Sequence, residues 1–488
     1  MASPLLDAPG GFIGGKWVRR AKRSFTVRNP GTGEVLATLP RLGAVETARA
    51  IRAAQAALEG PPLSLRERAA WLRTIVRLLA KNREELARII TLEQGKPLAE
   101  ARTEVDYSAG FFRYFADHLN VLQPRLLPDP ASGCRWTVHQ RPSGIAALIT
   151  PWNFPLAMLA KKLAAAFGAG CPAIVKPAEA TPLSSIALWK LMEGAGLPKG
   201  RAALLFGDPE AIGGALCRSD AVRLLSFTGS TVVGRSLYAA SAGTLKRLAL
   251  ELGGNAPFIV FEDADIAAAV AALVANKFRC AGQTCVCANR VYVHRRIRAR
   301  FVAALVAKVE ALPVGNGLDP GTMVGPLINR EGFLKVAAHV GDALRLGARR
   351  VAGTPPREPR HGWGFFFPPT ILTGATERMR VFREETFGPV IAIADFDSEP
   401  DVVAAANGTP FGLAAYVFTR DPRRAERVAR ALAFGHVAVN SGAGPTPEAP
   451  FGGRKQSGFG REGGIEGLLE FTEPQAVASA VPSARRGR

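Results

Sequence analysis

No apolar run in these 488 residues reaches the roughly 20 needed to cross a bilayer. The first fifteen residues lack a basic region followed by an apolar core, so no secretory signal is expected there. Cysteine is scarce, with six in the whole chain, and no CxxC occurs, which excludes a disulfide framework. HExxH is missing and the six histidines are scattered, so no metal site is expected. These absences point to a cytoplasmic protein without a membrane partner. Acidic residues are short as well: 41 Asp and Glu face 62 Lys and Arg, for a formal charge of +21. A basic balance can mark nucleic-acid binding. No aromatic-interleaved basic motif accompanies it, even at His294-Arg295-Arg296-Ile297-Arg298-Ala299-Arg300. A solvated, Arg-rich surface without a specific nucleic-acid partner is the expectation.

What is present is α/β patterning. Apolar residues recur at three and four over Val45–Leu58, Leu65–Leu92 and Leu98–Leu119, which reads as three helices. From Ile145, short apolar runs (Ile145–Thr150, Ala173–Val175, Ala202–Phe206, Leu224–Phe227) alternate with helical patterns, the rhythm of a doubly wound sheet. A second series runs from about Pro257 to Pro450. Arg135–Arg141 and Leu469–Val477 stand outside both as extended stretches.

Half of the cysteines lie in Phe278-Arg279-Cys280-Ala281-Gly282-Gln283-Thr284-Cys285-Val286-Cys287-Ala288. A helical pattern enters this stretch and an apolar run leaves it, so Cys285 is expected on a turn after the flexible Gly282-Gln283-Thr284. Alone, three such cysteines read as small buried hydrophobes. Leu250-Glu251-Leu252-Gly253-Gly254-Asn255-Ala256-Pro257 sets one carboxylate among apolar neighbours, where a raised pKa suits a general base. Together and in this order, the two motifs resemble those of the aldehyde dehydrogenase superfamily. The resemblance implies that Cys285 is the nucleophile and Glu251 the base that activates water, and so a hydrolytic rather than CoA-acylating enzyme. It implies a Rossmann-like dinucleotide-binding domain at 1–123 and 144–253, an α/β catalytic domain at 254–454, and a small β oligomerisation arm with C-terminal tail at 124–143 and 455–488. A homodimer or homotetramer would follow.

The same resemblance distributes further roles. Asn153, in Thr150-Pro151-Trp152-Asn153-Phe154-Pro155, becomes the oxyanion donor, and Trp152 lies beside it on the cofactor side. Phe227-Thr228-Gly229-Ser230-Thr231-Val232-Val233-Gly234 follows a strand and opens a helix, a phosphate-binding arrangement; Gly229, Ser230 and Gly234 fall there. Lys176 and Glu179 would hold the adenosine ribose, and Glu385 and Phe387 the nicotinamide side. A carboxylate at Glu179 opposes a 2′-phosphate, so NAD is expected over NADP.

The nearest resemblance within the superfamily is to its succinate semialdehyde dehydrogenase branch, through the Cys285 stretch, Gly325-Pro326-Leu327-Ile328-Asn329 and Pro450-Phe451-Gly452-Gly453-Arg454. It implies a substrate carboxylate held by Arg279 and by Lys161, which stands where that branch has arginine. The alternatives are another semialdehyde, such as glutarate semialdehyde, or a broad range of aldehydes.

Overall fold

The computed structural model describes residues 5–128, 133–359 and 362–480. Two large sheets dominate it. In the first, the parallel strands Arg247–Glu251, Val222–Thr228, Ile145–Ile149, Ala173–Lys176 and Ala202–Leu204 lie side by side in that order. Its strands read as unbroken apolar runs because both faces are covered. Ile145–Ile149 is buried throughout. Ala146 and Leu148 join the core formed with the N-terminal helices, while Ile145, Ala147 and Ile149 face a separate core on the other side. That split follows from the two-residue period of a strand.

The second sheet orders Arg349–Ala352, Thr370–Thr373, Val390–Phe396, Ala288–His294, Ala256–Val260, Ala414–Phe418 and His436–Val439. All its neighbours are parallel except the first pair. A third, three-stranded sheet pairs Thr472–Ala480 antiparallel with Cys134–Pro142 along their whole length, and Arg125–Leu126 extends it. Among the described residues no helix is long and apolar enough to cross a membrane.

Two expectations need correction. The helix read over Leu65–Leu92 is two helices, Leu65–Lys81 and Arg83–Gln94, broken at Asn82. Asn82 leaves the helical conformation, and its side-chain amide donates to the Leu78 carbonyl at 2.8 Å. The apolar pattern runs through the break because both helices pack on the helix Leu98–His118. The stretch after Arg454 does not all belong with the arm: Gly458–Phe459 adds an antiparallel strand to the first sheet beside Leu250 and Glu251. The end of the tail, 481–488, lies outside the described residues.

Candidate active site

Strand ends of the first sheet and the segment entering Ala288–His294 converge on one cavity of about 680 Å³. Asn153, Lys161, Glu251, Arg279 and Cys285 all line it. Helix Ile266–Phe278 leads towards Cys285 through a kink in which Cys280, Ala281 and Gly282 have φ of 53°, 53° and 74°. Gly282 is needed at the tightest point, since a Cβ there would stand 2.2 Å from the Gly388 carbonyl oxygen. Gly254 is needed for a similar reason, because its Cβ would meet the Cys285 carbonyl oxygen at 2.3 Å. Gly254 thus lets the chain leaving the Glu251 strand approach the loop that carries Cys285. Burial pushes the Cys285 thiol up to about 12, with Glu385 adding to the rise and Lys161 opposing it. The thiol form therefore predominates at neutral pH.

Glu251 ends its strand with 3% exposure, and neither carboxylate oxygen has a hydrogen-bond partner among the described residues. Burial, then the charge of Glu462, raises its pKa well above the usual carboxylate range, against the pull of Lys161, Lys162 and Arg461. A carboxylate without fixed partners and with a raised pKa is suited to accepting a proton from water.

Glu462 is a site residue that sequence reasoning missed. Its carboxylate takes ion pairs from both Lys161 and Lys162, and Lys162 also donates to Ser226 at 2.8 Å. Burial depresses the Lys161 ammonium, but Glu462, Tyr107 and Glu251 more than reverse this and hold it above its ordinary range. Burial keeps Lys162 below its own. Lys161, expected as a cation for the substrate, thus lines the cavity with its charge already met by Glu462. A signal existed: two adjacent lysines in the otherwise apolar helix Ala157–Ala169 require a buried anion.

Arg279 sits with its guanidinium carbon 5.4 Å from the Phe154 ring centroid, and its Nε has no hydrogen-bond partner among the described residues. The Asn153 side-chain amide donates to the Gln283 carbonyl at 2.9 Å, which aims it across the loop that carries Cys285. Helix Leu98–His118 supplies a further wall through Glu100, Thr103, Glu104 and Tyr107, at helical spacing. That wall was also missed, since polar residues on an amphipathic helix read as its solvent face.

The sequence model of the aldehyde dehydrogenase family matches residues 17–477. The chain belongs to the aldehyde dehydrogenase family.

It is 45% identical over 480 residues to a 3-sulfolactaldehyde dehydrogenase of Pseudomonas putida, covering 98% of each chain. It is 45% identical to a succinate-semialdehyde dehydrogenase [NADP(+)] of Escherichia coli, over 95% of this chain and 96% of that one. The crystal structure of a succinate-semialdehyde dehydrogenase from Burkholderia pseudomallei superposes with a TM-score of 0.96 at 48% identity, covering 99% of this chain and 100% of that one. The protein is therefore an NAD(P)-dependent aldehyde dehydrogenase.

Its remaining residues fit a dinucleotide. Trp152, Gly229, Ser230, Glu385 and Phe387 line the same cavity. Ser230 caps the helix Thr231–Ser241, accepting from the Val233 N–H, at the end of a parallel strand where phosphate is stabilised. The hydroxyls of Thr228 and Thr231 are buried there without hydrogen-bond partners among the described residues. Lys176 and Glu179 stand at the next strand end but one, paired at 2.5 Å. Trp152 meets Phe387 edge-on at 5.6 Å, and Phe387 holds a φ of 58°. Glu385 accepts from the Gly254 N–H at 3.0 Å, and burial raises it to about 7. Gly234 turns away from this group: a Cβ on it would lie 2.4 Å from Leu252, so its lack of a side chain serves packing. No cluster of metal-ligating groups occurs among the described residues.

Proposed function

We propose that Cys285, Asn153 and Glu251 carry the two half-reactions of a hydrolytic aldehyde dehydrogenase. The observation that carries this is a half-buried cysteine and a buried carboxylate with no hydrogen-bond partner among the described residues, both lining one cavity. The Cys285 thiolate, the minor form at neutral pH, adds to the aldehyde carbon. The second N–H of the Asn153 amide and the Cys285 backbone N–H donate to the oxyanion. Bound NAD(P) supplies the hydride acceptor. The carbon then remains on Cys285 as a thioester, and Glu251 takes a proton from the water that hydrolyses it. NAD is the preferred form, because Glu179 is a carboxylate at the strand end where the adenosine ribose would lie. The three-stranded sheet, whose final strand is exposed beyond Thr472, serves association of subunits.

The substrate is a short aldehyde with a distal anion, and succinate semialdehyde is the member of that class favoured here. Two relatives carry succinate-semialdehyde names, and a third acts on a sulfonated aldehyde by its name. Arg279 supplies a cavity-lining cation that forms no ion pair among the described residues, although Glu100 on the same cavity is near enough to feel its charge. An arginine–carboxylate contact contributes about 1.5–3 kcal/mol, or roughly 10- to 100-fold. The specificity constant for succinate semialdehyde should exceed that for butyraldehyde, and Arg279→Ala should erase most of the difference. Glutarate semialdehyde, one methylene longer, should be a slower substrate. A wild type that prefers butyraldehyde, or Arg279→Ala with its preference intact, would refute this choice of substrate.

A further inference from the structure

At the cavity wall lies an ion pair that takes no part in the chemistry above. Lys96 and Glu104 meet at 2.6 Å with neither side chain exposed. Withdrawing both charges from water costs several kcal/mol per ion, so pairing alone is a poor account of their presence. Their other contacts converge on residues 153–157. The Lys96 ammonium donates to the Asn153 carbonyl at 2.7 Å and stands 3.8 Å from the Phe154 ring centroid. The second Glu104 oxygen accepts from the N–H groups of Leu156 and Ala157 at 2.9 and 3.2 Å. Those donors open the helix Ala157–Ala169, whose capping position, Leu156, has no side chain able to bond them. Around the same carbonyl, the Cys280 thiol approaches at 3.5 Å. Gln94 steadies both neighbours, donating to the Cys280 sulfur at 3.1 Å and accepting from the Lys96 N–H at 3.0 Å.

We infer that Lys96 and Glu104 are positioning residues for the oxyanion site, fixing the Asn153 main chain so that its amide is aimed before substrate arrives. The inference rests on the reading of Asn153 as oxyanion donor. A cation fits this place because it can grip a carbonyl and a carboxylate at once, while the carboxylate secures the helix start a few residues on. The backbone is then held by both charges, and the side chain is held by Gln283.

The test is the pre-steady-state rate of NADH formation in the full-length enzyme. In Lys96→Met/Glu104→Gln both charges are gone, and the introduced amide oxygen keeps an acceptor for the Leu156 and Ala157 N–H groups. The fold should survive, as it does when buried pairs are replaced by neutral groups of similar size. NADH formation should slow on the order of tenfold to a hundredfold, the effect of a small misplacement of a catalytic group, and thioester hydrolysis, which forms an oxyanion at the same carbon, should slow with it, while NAD binding stays unchanged. Adding Asn153→Ala should cause little further loss, since both changes disable one device. An unchanged rate in the double variant, or fully additive losses, overturns the inference. Asn153→Ala with a normal rate would instead overturn the role given to Asn153. If the double variant does not fold, Lys96→Arg, which keeps the charge but not the compact ammonium, should slow NADH formation; an unaltered rate there is equally fatal.

Discussion

Replacing Lys161 by methionine separates two roles a cation could have in the cavity. With Glu251 protonated, Lys161, Lys162 and Glu462 sum to one positive charge; with Glu251 ionised, the four groups are neutral. Without Lys161 the same states are neutral and negative, so the ionised base loses support. Lys162 and Arg461 remain to support Glu251. The Glu251 pKa is therefore expected to rise further above the usual carboxylate range. The assay is the steady-state rate after the NADH burst, measured against pH. A general base works in its ionised form, so the rate climbs as pH rises through its pKa, and the variant's climb should be displaced to higher pH. The burst itself should also slow, since Lys161 also opposes the raised pKa of the Cys285 thiol. Preference for succinate semialdehyde over butyraldehyde should persist, because Arg279 is untouched. Stability should fall by less than the ~3–5 kcal/mol typical of a broken buried pair, as Glu462 keeps Lys162. A pH profile that does not move, or a lost preference, would refute the reasoning.

Glu251→Gln should keep a stoichiometric NADH burst and then turn over at least ~100-fold slower, while Cys285→Ala shows no burst. Ordinary turnover by either defeats the assignment. In the wild type the burst rate should rise with pH across the neutral and alkaline range, because burial pushes the thiol up to about 12; a burst independent of pH would show that the thiolate is already formed. Glu179→Ser should raise the efficiency with NADP about tenfold by removing a carboxylate from the 2′ position, and equal use of both coenzymes by the wild type would contradict the premise. Gly282→Ala meets both a φ of 74° and the Gly388 carbonyl, so it should lower stability by about 2 kcal/mol or more, read as a fall in the thermal midpoint.

The alternating strands and helices were legible because buried parallel strands write themselves as apolar runs, and Ile145–Ile149 needs no partner to be recognised. Cys285 and Glu251 were legible through glycines, since Gly254 and Gly282 stand where backbone must approach backbone. The break at Asn82 was hidden because one packing partner serves both helices, and periodicity records the partner rather than the bond pattern. Glu462 was hidden by distance: it meets Lys161 and Lys162 across some 300 positions, and nothing local to Arg461-Glu462-Gly463 marks it as buried. Lys96 and Glu104 were lost for another reason. Their spacing of eight gives no hint that one ends a turn and the other begins to line a pocket.

The bridging carboxylate also sets an order of events during synthesis. Lys161, Lys162, Glu251 and Cys285 are all made by residue 285, yet Glu462 and the strand Gly458–Phe459 that flanks Glu251 follow much later in the chain. Until they emerge from the ribosome, the helix that carries Lys161 and Lys162 lacks the carboxylate that pairs with both ammonium groups in the folded chain. The nascent chain thus cannot take the cavity geometry of the folded protein until the segment around Glu462 has been made.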